Sequence, residues 1–102
     1  MSKGIKVLCG SSAYEKKYYL NEDFNGLPDD MKNQLKVICV LFTEDVGGAL
    51  TICFNDENEL EFRTMCDEGD LLYDEIGSLL KVKQMREQYR DLWEGLQTYF
   101  KV

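Results

Sequence analysis

The stretch LPDDMKNQLKVICVLFTEDVGGALTICFNDENELEFRT, residues 27–64, changes its hydrophobic period once, and that change decides the fold. Up to Val46, apolar residues recur at Met31, Leu35, Ile38, Cys39, Phe42 and Val46, the three-four spacing of one helical face. Pro28 suits a first helical turn, where its missing N–H has no partner, and Asp29 and Asp30 face the positive end of the helix dipole. Gly47 and Gly48 follow, and either can take the left-handed conformation that closes a helix. From Ala49 the period is two. Leu50, Ile52 and Phe54 alternate with Ala49, Thr51 and Cys53; beyond the polar turn 55–58, Leu60, Phe62 and Thr64 alternate with Glu59, Glu61 and Arg63. One apolar and one charged face mark an antiparallel hairpin with one side in water. A helix over 28–46 should therefore lie against a hairpin over 49–66, with Leu35, Ile38, Phe42, Leu50, Ile52, Phe54, Leu60 and Phe62 in the core. Val37, Val40 and Leu41 widen the helical stripe until it is apolar nearly all round, which predicts a central helix.

Working outward, residues 5–9 form a short apolar run closed by Gly10-Ser11-Ser12, and residues 14–20 place Tyr14, Lys16, Tyr18 and Leu20 on one side of a second strand. Together they read as another hairpin. On the other flank, residues 66–70 break the pattern and supply helix caps. The chain then reads as helical from Leu72, with Leu72, Ile76 and Leu79 on the first turns and Gly77-Ser78 as the point of a kink or split. The order β-β-α-β-β-α predicts one α+β domain over 1–102, helices layered on an antiparallel sheet.

Composition narrows the function. The 102 residues carry 12 basic and 19 acidic side chains, a net charge of −7, and no histidine. Histidine-dependent triads, dyads and zinc sites are thereby excluded. A chain this acidic repels nucleic acid unless its bases are concentrated. The nearest concentrations are Lys16-Lys17 and the group Lys81, Lys83, Arg86 and Arg90, the latter interrupted by Glu87 and Asp91. No apolar run reaches the roughly 20 residues of a membrane-spanning helix, and the start does not read as a signal peptide, so a soluble cytoplasmic protein is expected. Cys9, Cys39, Cys53 and Cys66 have no C-x-x-C spacing and apolar neighbours, which predicts four buried thiols.

Two groups of residues are candidates for a site. The acidic junction 67–75 holds Asp70, Asp74 and Glu75; on a helix Asp70 and Asp74 share a face and could offer oxygens to a divalent ion, though dipole matching explains the same acids. The Gly47-Gly48 turn lacks the lysine and spacing of a phosphate loop and follows a helix instead of preceding one. No cofactor is expected, no bound metal is assigned, and no residue is singled out as catalytic. The second group is the stripe Val82, Met85, Tyr89, Leu92, Leu96 and Tyr99, flanked by Trp93 and Phe100, whose three-four spacing would let two copies pack along a seam.

Three segments, Tyr14-Glu-Lys-Lys-Tyr-Tyr-Leu-Asn21, Val40-Leu-Phe-Thr-Glu-Asp-Val-Gly-Gly48 and Glu68-Gly-Asp-Leu-Leu-Tyr-Asp-Glu-Ile-Gly-Ser78, resemble those of a family of small uncharacterised proteins from clostridial bacteria. The resemblance runs over nearly the whole chain. It implies a bacterial cytoplasmic protein that is its own domain, and no activity. The leading expectation is a non-enzymatic, homodimeric interaction or regulatory protein. The rivals are a small-ligand or metal-binding module at the junction 67–75 and the Gly47-Gly48 turn, or an acidic protein occupying a basic surface of a nucleic-acid enzyme.

Overall fold

A computed structural model describes residues 5–101, except the side chains of Phe100 and Lys101. Four strands, β1 (Lys6–Ser12), β2 (Lys17–Leu20), β3 (Ala49–Phe54) and β4 (Leu60–Met65), form one antiparallel sheet in the order β2-β1-β3-β4. Helix α1 (Asp29–Val46) connects the two hairpins, and α2 (Glu75–Gln88) and α3 (Arg90–Lys101) close the chain. The fold is α+β, with the last helical segment of the expected order divided in two.

Register sets which side chains meet α1. Pairing of Ser11 with Leu50 and Tyr18, and of Ile52 with Cys9 and Phe62, puts these residues on one face of the sheet. The Ser11 hydroxyl crosses the layer to donate to the Cys39 carbonyl of α1 at 2.7 Å. Leu35, Ile38, Phe42, Leu50, Ile52, Phe54 and Leu60 are buried as the periodicity requires, and Phe62 is partly buried against them.

Three local readings are corrected. Gly10-Ser11-Ser12 does not turn the chain but continues β1, and the turn lies at 13–16, so Tyr14 leaves the strand. Gly10 is there for space: a Cβ would stand 2.7 Å from the Leu50 carbonyl of the neighbouring strand. Helix α1 is not enclosed on every side, since Val37 and Leu41 are about half exposed. Of the four thiols, Cys9, Cys39 and Cys53 are buried but Cys66 is exposed, because it follows the end of β4 where the sheet pattern has stopped.

The C-terminal helices differ most from the sequence reading. Helix α2 begins at Glu75, not Leu72, capped by the Asp74 carboxylate accepting from the Gly77 N–H at 2.8 Å. Gly77 is therefore part of a cap and no kink; a Cβ there would collide with the Asp74 carboxylate. The break falls at Tyr89, whose backbone leaves the helical region. The Met85 carbonyl accepts both the Tyr89 N–H (3.1 Å) and the Trp93 indole N–H (2.9 Å), which fixes α3 at an angle to α2. Trp93 meets Phe62 of β4 edge-on at 4.9 Å between ring centres, and Leu92 and Leu96 join the core.

Candidate functional site

The seam anticipated for a second copy lies largely inside the monomer. Met85, Leu92 and Leu96 are buried, Val82 and Tyr89 pack on the core, and only Tyr99 is substantially exposed. The Phe100 side chain, expected beside this stripe, lies outside the described residues.

The apolar surface that remains in water lies elsewhere. Leu71, Leu72, Ile76, Leu79 and Leu80 are each between 58% and 95% exposed, five large aliphatic side chains within ten residues. At 3.6 residues per turn, Ile76, Leu79 and Leu80 point away from the side carrying Ser78, Val82 and Met85. Helix α2 thus carries apolar residues on two sides: Val82 and Met85 pack on the domain, while Ile76, Leu79 and Leu80 remain exposed among the described residues. Monomers rarely leave large groups of aliphatic side chains in water. The sequence reading placed Leu72, Ile76 and Leu79 on the first turns of this helix without assigning that face, and it began the helix three residues early.

The acidic junction is tied down by local bonds. Tyr14, from the β1–β2 turn, donates to the Asp70 carboxylate, while its oxygen accepts the Asp67 N–H at 2.8 Å. Asp70 also accepts from the Leu72 N–H at 2.9 Å. Asp74 caps α2, and its own N–H reaches the Val46 carbonyl at 3.0 Å. Asp70 and Asp74 do not share a helical face, since the helix begins after both, and Glu75 is exposed at its first turn. Gly47 and Gly48 take φ of +80° and +67° to turn from α1 into β3. The arrangement anchors the segment after β4 against both the first hairpin and the end of α1.

The bond from Tyr14, followed by that from the Leu72 N–H, holds the Asp70 carboxyl below its ordinary range. A depressed carboxyl contributes stability above its unfolded pKa and loses it as pH falls through the folded value. Stability should therefore decline from about pH 4 downward. Asp70→Asn should flatten that decline, measured as the urea midpoint between neutral and acid pH, while leaving the opposite, alkaline limb of the profile less steep as well. Tyr14 contributes to that limb. Its phenol is raised by the same Asp70 bond, so its contribution is present below the usual tyrosine range and fades above it.

A cleft of about 850 Å³ opens between the β1–β2 hairpin and the second half of α1. Its walls include Ser12, Lys16, Lys17 and Tyr18 from the hairpin side, Lys36, Val40 and Glu44 from α1, and Gly47 and Leu72 beyond it. Leu72 thus joins the cleft to the exposed apolar face. Beneath the cleft, the Cys9 and Cys39 sulfurs lie 3.7 Å apart beside the enclosed Tyr18 hydroxyl. Burial and the neighbouring thiols raise Tyr18; the contact with Cys9, then burial, raises Cys39, so Tyr18 and Cys39 stay protonated at neutral pH. Lys16 and Lys17 were visible as a basic pair in the sequence; Lys36 carried no signal, because only the fold brings it to them.

Among the described residues no cluster of three or more acids or thiols is arranged to hold a metal ion, and no described helix is long and apolar enough to cross a membrane. No curated protein and no solved structure matches the chain. A family model does match, over residues 5–102, which takes in both hairpins, the cleft and the exposed face of α2; the chain belongs to that family, one of unknown function (DUF6145).

Proposed function

We propose that this chain is a non-enzymatic interaction protein of the bacterial, clostridial cytoplasm, and that its immediate partner is a second copy of itself. The observation that carries the reading is the exposed face of Leu71, Leu72, Ile76, Leu79 and Leu80. Monomers rarely leave contiguous apolar patches larger than a few hundred Å² in water. With a polar rim, an apolar face of this kind suits the centre of an interface that buries roughly 800 Å² per partner.

Charge selects a second copy. Five carboxylates, Asp67, Glu68, Asp70, Asp74 and Glu75, precede or open α2 with no base among them. The far end carries Lys81, Lys83, Arg86 and Arg90 against Glu87 and Asp91, a basic excess of two. Two copies of α2 crossing antiparallel about a two-fold axis near Leu79 and Leu80 place the acidic end of each beside the basic end of the other. A parallel pair would oppose like charges. The free thiols, including the unjoined Cys9 and Cys39, suit a reducing compartment.

Sedimentation velocity across the micromolar range tests this. A monomer–dimer equilibrium that weakens modestly as salt screens the end-to-end charges is expected; a monomer at every concentration would remove the reading.

A further inference from the structure

We propose that the cleft between the β1–β2 hairpin and α1 is a binding site for a small organic anion, a carboxylate or phosphate ester with an apolar body. The proposal does not rest on self-association, although Leu72 belongs to both the cleft wall and the exposed apolar face.

The volume, about 850 Å³, lies within the range of small-molecule sites, roughly 300–1,000 Å³. Its electrostatics reverse those of the molecule. On a chain of net charge −7, Lys16, Lys17 and Lys36 line a single cleft, and none of them has an ion-pair partner among the described residues. Elsewhere Lys6, Lys32, Arg63 and Lys81 each have a carboxylate, and Lys83, Arg86 and Arg90, without one among the described residues, lie on the C-terminal helices and outside this cleft. Three unneutralised ammonium groups at a concave surface attract an anion more strongly than the same groups spread over a convex one. Of the acids in the cleft wall, Asp45 is paired with Lys81, and Glu44 lies about two turns along α1 from Lys36. The anionic end of a ligand therefore belongs on the side of Lys16, Lys17 and Lys36.

Hydrogen bonding and shape agree with that placement. Ser12 Oγ accepts from the Tyr14 and Glu15 N–H groups at 3.2 and 3.3 Å, which leaves its own proton to donate. Tyr18, Val40, Val46 and Leu72 supply apolar wall for the body of the ligand. The rim is held in place before any ligand arrives: the Ala13 N–H donates to the Gly48 carbonyl at 2.8 Å, and Tyr14 is bonded to the 67–70 segment. A rim already ordered loses little freedom on binding.

Phenyl phosphate and phenylacetate serve as the phosphate and carboxylate probes, with benzyl alcohol as the neutral comparison. Binding is read from amide shifts in two-dimensional NMR spectra of the Leu79→Asp variant, so that failure of self-association cannot affect the result. At least one of the two anions should shift the Ser12, Lys17 and Thr43 amides saturably at millimolar concentration, benzyl alcohol far less. The stronger of the two anions identifies the class. Lys16→Glu with Lys17→Glu should weaken binding about tenfold, the scale of one charge-assisted contact. Lys36→Met, which removes charge without reversing it, should weaken it by a smaller factor and guards against misfolding of the double variant. Absence of saturable shifts with both anions overturns the proposal, as does binding that neither set of substitutions weakens.

Discussion

Phe42→Ala is expected to destabilise the protein by about 3–5 kcal/mol, the cost of truncating an enclosed aromatic side chain. Phe42 is 1% exposed and sits on the α1 face that meets the sheet, within the same cluster as Leu35, Ile38, Leu50 and Ile52. Around it are a β-sheet fixed by its hydrogen-bond ladder and a helix of five turns. Neither can collapse far into the space a phenyl ring leaves, so most of the cavity cost should persist. Leu41→Ala, one residue away on the half-exposed side of the same helix, should cost less than 1 kcal/mol. Urea denaturation of the two variants measures the contrast, and equal losses would mean that the facing of α1 is wrong.

Gly48→Ala should be nearly as damaging, at about 2–4 kcal/mol, for two reasons that add. The backbone at Gly48 has φ of +67°, which an L side chain adopts only at a cost. A Cβ there would also stand 2.5 Å from the Met65 carbonyl and 2.7 Å from the Tyr73 ring, and the carbonyl belongs to a strand end that cannot yield cheaply. Gly69, with φ of +79° and open space around it, isolates the first term. Gly69→Ala should therefore cost only about 1 kcal/mol by the same urea measurement.

The parts of the fold that were legible in the sequence are those where one local period held for long enough. Helix α1 and the β3–β4 hairpin were readable because Leu35, Ile38 and Phe42 on one side, and Leu50, Ile52 and Phe54 on the other, bury in step with their own periodicity. The first hairpin was half legible: its pairing was anticipated, but its turn was placed on Gly10, a glycine required by a neighbouring strand and invisible to a local reading. The C-terminal region misled for a related reason. In α2, aliphatic residues at 76, 79 and 80 and those at 82 and 85 belong to opposite sides, and the sequence does not say which side is inner. That decision is made by Trp93, whose indole bond to the Met85 carbonyl turns α3 onto β4.

The residues singled out in the sequence were legible as structure more than as a site. The acidic junction, Gly47 and Gly48 were visible, and the structure gives each a bonding or conformational role in fixing the segment between β4 and α2. The cleft was not visible, since its lysines come from a turn and a helix separated by some twenty residues of chain. The exposed aliphatic residues were present in the sequence, but their period alone did not tell which side of α2 faces water.

Whether the outer face of α2 joins two copies is tested most directly by comparing Leu79→Asp with Leu92→Asp in sedimentation velocity and thermal unfolding. Leu79 is 69% exposed and Leu92 is 8% exposed, so the same substitution probes the outer face in one case and the core in the other. The account predicts that the unaltered protein dimerises, that Leu79→Asp is a monomer which unfolds cooperatively at a scarcely changed midpoint, and that Leu92→Asp loses cooperative unfolding altogether. A folded Leu79→Asp protein that still sediments as the unaltered dimer would contradict it.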